Sequence, residues 1–481
     1  MELLIIIATL ITTVLAILVT KRRRLIEIFT IISGLIVLVC SFLIALSVAH
    51  TGVYTSTIFF SVDALGAIFV LIIGCIGLTT SIYSVAYLDQ ETKKGIVGFT
   101  RVKQYFILLN VFLVAMYLAI TASSPIFAWI AIEATTLSTA FLISFYNKPS
   151  AIEGAWKYLI INSVGLLLGF FGTMLYFTSV PSTINGGFIG WQDLLNNTAH
   201  LDPLVAKMAF VFVLIGYGTK VGLSPMHTWL PDAHSKAPAP ISALLSGVLL
   251  NVALIIILRF KVVTDQVVDP AFSQHILIGF GLLSIFIAAL IIITQKNYKR
   301  LIAYSSIENM GVIVLGFGFG GIAILAAILH MIYNAFAKSA LFLTAGTIFL
   351  KYSSTKIVNV VGVLEALPVT GLLFFAGFLA ISGIPPFGIF FTKFLIFSAG
   401  MTEHPLVVVT ALILITILFV GFLAHISAMA FGKKPADIKA GEINIWLVIP
   451  PLLLITIVIG LSFYLPPFLR TLIETAVLHY S

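Results

Sequence analysis

Four charged side chains stand inside long apolar runs, where an ionised group is hardest to keep. Glu133 lies in Trp129-Ile130-Ala131-Ile132-Glu133-Ala134 and Lys220 in Gly218-Thr219-Lys220-Val221-Gly222. Lys338 and Lys393 lie in Ala337-Lys338-Ser339-Ala340 and Phe391-Thr392-Lys393-Phe394. At mid-bilayer each costs about 2.5–3.5 kcal/mol on insertion scales, on the order of 10 kcal/mol together, so each needs a partner or a task. His330, Asn334 and Lys338 recur every four residues, which sets all three on one helix face. Burial disfavours the charged form of lysine and carboxylate alike, and an adjacent opposite charge restores it. A lysine beside Glu133 therefore holds its proton while the pair is close and releases it when the pair parts. Histidine, with a reference pKa of about 6.5, relays protons at neutral pH, and an asparagine orients water. The chemistry implied is a proton or cation path. The static alternative is a set of buried salt bridges, which a single such residue would favour and four beside two broken helices do not.

The elements that must position these groups are membrane helices. The chain has 481 residues, 60% hydrophobic and 9% charged, against about 25% charged for a soluble globular domain. Stretches of about 20 apolar residues match a hydrocarbon core of about 30 Å. Fourteen such spans are expected, at 1–20, 25–49, 62–87, 105–122, 126–146, 156–179, 204–231, 239–260, 275–295, 301–319, 322–350, 367–400, 406–430 and 443–465. The fold class is thus an all-α integral membrane protein with a single membrane domain, residues 1–481. The longest connection, Ser179 to Pro203, is rich in Gly, Asn and Thr and is expected to be a surface loop.

Spans seven and twelve carry helix breakers, Gly222-Leu223-Ser224-Pro225 and Ser382-Gly383-Ile384-Pro385-Pro386-Phe387-Gly388. Proline removes a backbone donor and frees carbonyls that lipid cannot satisfy. Interrupted helices at matching positions of two halves point to an internal repeat with a transport site, and two unrelated kinks are the plainer alternative. Spans 4–8 and 9–13 hold the break fourth in each set, and an odd number of helices per unit makes the units inverted. The expected organisation is three N-terminal helices (1–104), a first repeat (105–260), a second repeat (275–430) and a C-terminal helix (443–481).

Charge supplies the orientation. Of the 26 Lys and Arg, 19 fall on one set of alternate loops, 4 on the other (Lys207, Arg259, Lys261, Arg470) and 3 within spans. By the positive-inside rule the first set is cytoplasmic, so both termini are expected on the non-cytoplasmic side. The same scatter argues against nucleic acid as the reason for the net charge of +8. The first span has no positive segment before it and no small-residue cleavage site after it, so it is expected to be retained. Cys40 and Cys75, far apart and both in apolar runs, are expected to be buried thiols and build neither an iron–sulfur cluster nor a thiolate zinc site.

Other residues carry less. Glu308, in Ser305-Ser306-Ile307-Glu308-Asn309, is either an inlet group or part of a helix N-terminus. His227, Asp232 and His234 follow the break in span seven; a polar turn or one end of a proton path suits them better than a metal, because no further ligand cluster accompanies them. Asp63 and Glu153 are expected at the interfaces. No phosphate-binding loop, dinucleotide fingerprint or nucleophile elbow is present, so no catalytic or redox-cofactor centre is expected in the chain itself.

The run Gly216-Tyr217-Gly218-Thr219-Lys220-Val221-Gly222-Leu223-Ser224-Pro225-Met226-His227-Thr228-Trp229-Leu230-Pro231-Asp232-Ala233-His234 resembles the signature of antiporter-like subunits of respiratory complex I, Mrp-type antiporters and group 4 [NiFe] hydrogenases. Lys299-Arg300-Leu301-Ile302-Ala303-Tyr304-Ser305-Ser306, His330 to Lys338, and Gly383-Ile384-Pro385-Pro386 to Lys393 resemble its other marks, across about spans three to thirteen. Ser246 to Asn251 and Ser306 to Gly311 are most similar to the F component of hydrogenase-4, of the formate hydrogenlyase type. The resemblance implies two inverted five-helix repeats and a proton path along the midplane, driven by electron transfer in partner subunits. In it Glu133 and Lys220 are the coupled pair, His330 and Lys338 the central relay, and Lys393 the exit-side group. It also implies neighbouring antiporter-like and quinone-module-like membrane subunits and a peripheral hydrogenase or dehydrogenase module in the cell inner membrane. The iron–sulfur clusters, [NiFe] centre, flavin or quinone then belong to those partners, and no cofactor or metal to this chain. Asn251 stands where several members place a lysine or histidine, and Asn334 where some have a second histidine, so water must bridge at both. The chain stops soon after span fourteen and is expected to lack the long lateral helix of some members. The alternatives are a component of an Mrp-like sodium/proton antiporter and a membrane scaffold of an inorganic-carbon uptake complex.

Overall fold

The computed structural model describes residues 1–180 and 188–480. Six long helices open the chain: α1 (Glu2–Val19), α2 (Arg23–Thr51), α3 (Ala64–Lys93), α4 (Phe99–Thr121), α5 (Pro125–Ile143) and α6 (Pro149–Phe177). After the short α7 (Trp191–Asn196), span seven is α8 (Pro203–Val221) joined through a 3-10 turn to α9 (Trp229–Lys236). Span eight is α10 (Ala239–Leu244) and α11 (Leu250–Asp265), separated by a π-helical turn over Leu245–Leu249. Spans nine to eleven are α12 (Pro270–Ile292), α13 (Tyr298–Phe319) and α14 (Ile322–Tyr352). A four-residue α15 (Val363–Ala366) precedes span twelve, built of α16 (Pro368–Ser382) and α17 (Gly388–Glu403). α18 (Pro405–Ala430) and α19 (Ile449–Phe463) complete the spans, and α20 (Pro467–Tyr480) follows.

Thirteen of these helices, broken span seven among them, are long and apolar enough to cross a membrane; span twelve, in two shorter pieces, makes fourteen among the described residues. The protein is a multi-pass membrane bundle. A small antiparallel hairpin, Tyr54–Thr57 with Phe60–Val62, is the exception to the expected all-helical chain. Most of the Ser179–Pro203 connection has a shape of its own, with the α7 indole of Trp191 donating to the Ala122 carbonyl at 3.0 Å; residues 181–187 of it lie outside the described residues.

Several helices begin or end well outside their apolar stretches. α3 runs to Lys93, α4 starts at Phe99, α6 at Pro149 and α13 at Tyr298. Arg101, Lys103, Lys157, Lys299 and Arg300, expected in loops, therefore lie on helical turns at the Lys/Arg-rich end of the bundle. The ends are fixed by chemistry that a hydropathy window does not register: Asn297 caps α13 by accepting from the amides of Lys299 (3.0 Å) and Arg300 (3.3 Å), and Pro149 occupies the first turn of α6.

The bundle is layered by burial. Ala239–Asp265 and Tyr298–Phe319 are enclosed over their whole apolar windows, while Glu2–Val19 and Pro405–Ala430 show most of theirs to lipid. Small residues bring the inner helices together, as expected where lipid gives helices no hydrophobic reason to associate. A Cβ on Gly216 would lie 2.3 Å from the Gly169 amide nitrogen, and one on Gly281 would lie 2.8 Å from the Gly311 carbonyl. These contacts hold α6 on α8 and α12 on α13, the helices that carry or flank the charged groups. Gly216→Ala is accordingly expected to lower the melting temperature of the detergent-solubilised protein by several degrees, since overpacking costs about 1–3 kcal/mol. Gly279→Ala, where a Cβ meets nothing within 4 Å, is expected to leave it unchanged.

Candidate functional site

Each broken helix is closed by the same local device. α8 ends at Gly222, left-handed at φ 79°, whose amide donates to Thr219, and Leu223 donates to Gly218. α16 ends at Gly383, φ 80°, whose amide donates to Ala380, and Ile384 donates to Leu379. Glycine adopts this conformation without steric cost, which makes it the usual residue after a helix end. Side chains take up the remaining backbone groups. The Trp229 indole donates to the Thr219 carbonyl at 2.8 Å, Ser284 Oγ accepts from the Ser224 amide at 3.0 Å, and Ser462 Oγ accepts from the Gly388 amide at 2.7 Å. Irregular backbone at membrane depth is tolerated only with such partners.

Lys220, fully buried, sits one turn before the first break. Its Nζ donates to Tyr158 Oη at 2.7 Å and to Thr136 Oγ1 at 2.8 Å, and lies 4.9 Å from the centre of the Tyr158 ring. Tyr158 is held in turn by Thr139 at 2.6 Å. Glu133, one turn from Thr136 on α5, is within reach of the lysine's field but does not touch it. Its Oε1 accepts from Ser163 of α6 at 2.6 Å, and its buried Oε2 has no hydrogen-bond partner among the described residues. The implied Glu133–Lys220 pair is therefore separated, with two hydroxyls standing on the lysine where the carboxylate was expected.

The second half closes its pair. Lys393 Nζ meets Glu308 Oε1 at 2.8 Å, both side chains nearly excluded from solvent, and reaches the freed carbonyls of Ile381 at 3.4 Å and Ser382 at 3.5 Å. Asn309 Nδ2 donates to the other carboxylate oxygen at 2.5 Å. Glu308 is not part of a helix terminus: it lies mid-helix on α13 and is the partner of Lys393. His330 spans the neighbouring residues, with Nδ1 2.9 Å from Thr392 Oγ1 and Nε2 3.0 Å from Asn309 Oδ1. Lys338 donates to Ser305 Oγ and, at 3.3 Å, to the Ile302 carbonyl. A cavity of about 20 Å³ touches Ser305, Glu308, Ser382 and Lys393, room for one water.

Between Lys220 and Lys338 the interior is polar without being charged. Ser246 and Ser306 share a hydrogen bond of 2.8 Å, and the π turn seats Gly247 against Ala335 and Ser339 of α14. Asn251 donates to its own helix at Gly247, leaving its oxygen unpartnered. Among the described residues Asn334 has no hydrogen-bond partner at either side-chain atom and His234 none at either ring nitrogen, its ring stacked 4.7 Å from Phe342. His227, buried beside Tyr304 at 6.4 Å between ring centres, joins none of these groups. Asp232 lies 3.5 Å from both Lys157 and Arg300 in a basic vestibule of about 1060 Å³ at the Lys/Arg-rich end. Among the described residues no group of three His, Cys, Asp or Glu is arranged to hold a metal. Cys40 is buried and Cys75 half-buried, and both are free thiols.

Three groups were not apparent from the sequence. Tyr158 and Thr136 bind Lys220 from helices 62 and 84 residues away. Glu91, at the C-terminal end of α3, is fully buried against Tyr146 at 2.6 Å. Arg259 pairs with Asp63 at 3.1 Å and lies 5.6 Å from the Trp191 ring centre. Asp63, besides capping α3, is thus half of a largely buried ion pair, while Glu153 pairs at the surface with Lys157 at 2.6 Å.

Residues 122–419 match the family described as NADH:quinone oxidoreductase/Mrp antiporter, transmembrane. The chain is 38% identical over 382 residues to a hydrogenase-4 component F homolog of Methylacidiphilum infernorum, covering 79% of this chain and 80% of that one. It is 30% identical over 448 residues to a component of the Na(+)/H(+) antiporter of Alkalihalophilus pseudofirmus, covering 86% of this chain and 53% of that longer protein. In fold it resembles a chain of the archaeal membrane-bound sulfane sulfur reductase, with a TM-score of 0.86 at 23% identity over 100% of this chain and 96% of that one. A chain of the Mrp complex from Dietzia gives the same TM-score at 18% identity, covering 100% and 98%.

Proposed function

Because the chain belongs to the NADH:quinone oxidoreductase/Mrp antiporter transmembrane family, as an antiporter-like membrane subunit, we propose that it carries protons across the membrane for a multi-subunit oxidoreductase of the hydrogenase-4 type. The observation that carries this reading is the row of buried charge itself: Lys220, Lys338, Glu308 and Lys393 are all enclosed. The gaps along the row hold side-chain polar atoms of Glu133, Asn251, Asn334 and Ser382 with no hydrogen-bond partner among the described residues. An unpaired buried polar atom costs about 1–3 kcal/mol, and a bridging water is nearly as good as a direct hydrogen bond. Such a row suits protons passed between side chains and water. One acid–base pair is open (Glu133 and Lys220) and the other closed (Glu308 and Lys393), at the second and fourth spans of each five-helix set. That correspondence supports the two inverted repeats over 105–260 and 275–430.

In this reading the protein sits in the cell inner membrane with its Lys/Arg-rich end cytoplasmic and both termini on the opposite side. The electron-transfer centres belong to partner subunits: a peripheral hydrogenase or dehydrogenase module and further antiporter-like and quinone-module-like membrane subunits. A second reading, an Mrp-like sodium/proton antiporter, is favoured by the identity to the Na(+)/H(+) antiporter component over 86% of the chain. Inside-out membrane vesicles containing the intact complex separate the two. Proton uptake driven by the electron donor, followed with a pH-sensitive dye, is expected without sodium and unchanged on adding it. Strict sodium dependence would transfer the assignment to the antiporter, and redox turnover with no ion movement would leave a scaffold.

A further inference from the structure

The charged row described so far has no assigned connection to the Lys/Arg-rich face, and a second cluster of buried ionisable groups lies there. Glu91 is two residues from the last residue of α3 and close in sequence to exposed Lys93 and Lys94, yet it is itself fully buried. One oxygen accepts from Tyr146 Oη at 2.6 Å, and Tyr146 and Tyr87 share a hydrogen bond of 3.1 Å. The other oxygen, Oε2, is buried and has no hydrogen-bond partner among the described residues. No cation forms an ion pair with this carboxylate there, although the fields of Lys299 and Lys94 reach it. Both lysines are engaged elsewhere: Lys299 donates to the Ala237 carbonyl at 2.8 Å, and Lys94 donates to the Leu350 carbonyl.

A carboxylate kept only for structure would be expected to use both oxygens, because a half-satisfied buried acid is expensive. What faces this cluster is equally unsatisfied. His234, near the end of α9 on the same side of the bundle, is fully buried and has no hydrogen-bond partner at either ring nitrogen among the described residues. Glu91, Lys299, His234 and Lys338 thus lead from the outer turn of the bundle to the central lysine. Lys299 bonds the Ala237 carbonyl, three residues beyond His234, and the His234 ring stacks 4.7 Å from Phe342, one turn from Lys338 on α14.

We propose that Glu91 is the proton-loading group of the Lys/Arg-rich face, passing protons by way of Lys299 and His234 to Lys338. This rests on the proton-carrying function proposed above. In each transfer a hydronium at the face gives its proton to the Glu91 carboxylate and leaves as water, the neutral acid passes a proton to a water beside Lys299, and an unprotonated His234 nitrogen takes it and releases it to an unprotonated Lys338 amine. Only O–H and N–H bonds are made and broken. Tyr146 is a positioning residue: its hydroxyl holds one oxygen and leaves the other, Oε2, for proton exchange.

The test uses inside-out vesicles bearing the intact complex. Glu91→Gln still accepts from Tyr146 but carries no exchangeable acidic proton, and it is expected to slow donor-driven proton uptake at least tenfold while the complex co-purifies at wild-type levels. Tyr146→Phe, which loosens the acid without removing it, is expected to slow uptake only two- to fivefold. Wild-type uptake in Glu91→Gln would overturn the assignment, as would equal losses of assembly and uptake in both variants. Should Glu91→Gln fail to assemble, Glu91→Asp decides: a shortened but ionisable acid is expected to give a two- to fivefold loss, and an unchanged rate would overturn the proposal. Lys220→Met, measured in parallel, separates the two readings. If it abolishes uptake while Glu91→Gln does not, only the loading role fails; if both run at the wild-type rate, the proposed function fails with it.

Discussion

Lys220→Met is expected to cut donor-driven proton uptake at least tenfold, a barrier change of about 1.4 kcal/mol or more, without loss of the assembled complex. Methionine matches the lysine in length and apolar bulk and fills the same slot between α5 and α6. It removes Nζ, which donates to Thr136 and Tyr158 and, in the proposed path, exchanges a proton with the neighbouring carboxylate. Folding should tolerate the change because the groups left behind are hydroxyls with other partners: Tyr158 retains Thr139 at 2.6 Å. Glu133→Gln is expected to act in the same direction, since the amide keeps an acceptor for Ser163 but cannot attract or take the lysine's proton. The more discriminating variant is Lys220→Arg. Guanidinium keeps the positive charge but does not release its proton within proteins, so a relay predicts that Lys220→Arg is as inactive as Lys220→Met. A purely electrostatic role for the charge predicts substantial activity. Stopped-flow uptake in vesicles of the three variants decides between them, and normal uptake in Lys220→Met would remove this residue from the path.

The second large effect belongs to the closed pair. Lys393→Met leaves Glu308 buried without its cation, with only Asn309 on one oxygen. Breaking a buried ion pair by removing one partner typically costs about 3–5 kcal/mol; uptake of a proton by the stranded acid would hold the cost toward the lower end. The variant is therefore expected to lower both thermal stability in detergent and proton uptake. Lys393→Met combined with Glu308→Gln is expected to recover most of the stability, because the orphaned charge is gone and Asn309 still has an acceptor, while uptake stays lost. Stability and transport then move independently, which a merely structural ion pair would not allow. Uptake restored together with stability in the double variant would assign the pair to folding alone. His330 belongs to the same unit: its two ring nitrogens touch the residues next to each member of the pair, Asn309 and Thr392, so it can report a change at one to the other.

Most of the cast is legible in the chain. Glu133, Lys220, Lys338 and Lys393 stand out because an ionisable residue inside a span violates a strong rule, and Glu308 because the same rule is bent near the start of one. The two breaks are visible as Gly and Pro inside otherwise continuous apolar runs. Glu91 and Lys299 escape for one shared reason. An apolar window ends where charged residues begin, but α3 and α13 continue past that point to Lys93 and back to Tyr298, so hydropathy alone places both residues in loops. Neighbouring helices, not lipid, bury them. Arg259 is hidden similarly, as one more loop cation, until the fold brings Asp63 from 196 residues away to meet it.

The sequence by itself determined the membrane class, the number of crossings, the places where two helices break and the ionisable groups committed to the interior. These follow from the free energy of moving each segment from water into hydrocarbon, which is local and nearly additive along the chain. Tertiary structure alone decided who meets whom: Lys393 with Glu308 across 85 residues, Lys220 with two hydroxyls in place of Glu133, His330 between the halves of the closed pair, and Glu91 enclosed at the inner rim. Ion pairs and hydrogen bonds act over a few ångströms between helices far apart in sequence, so their partners depend on how the helices rotate and pack. Nothing in the composition of a single span carries that information.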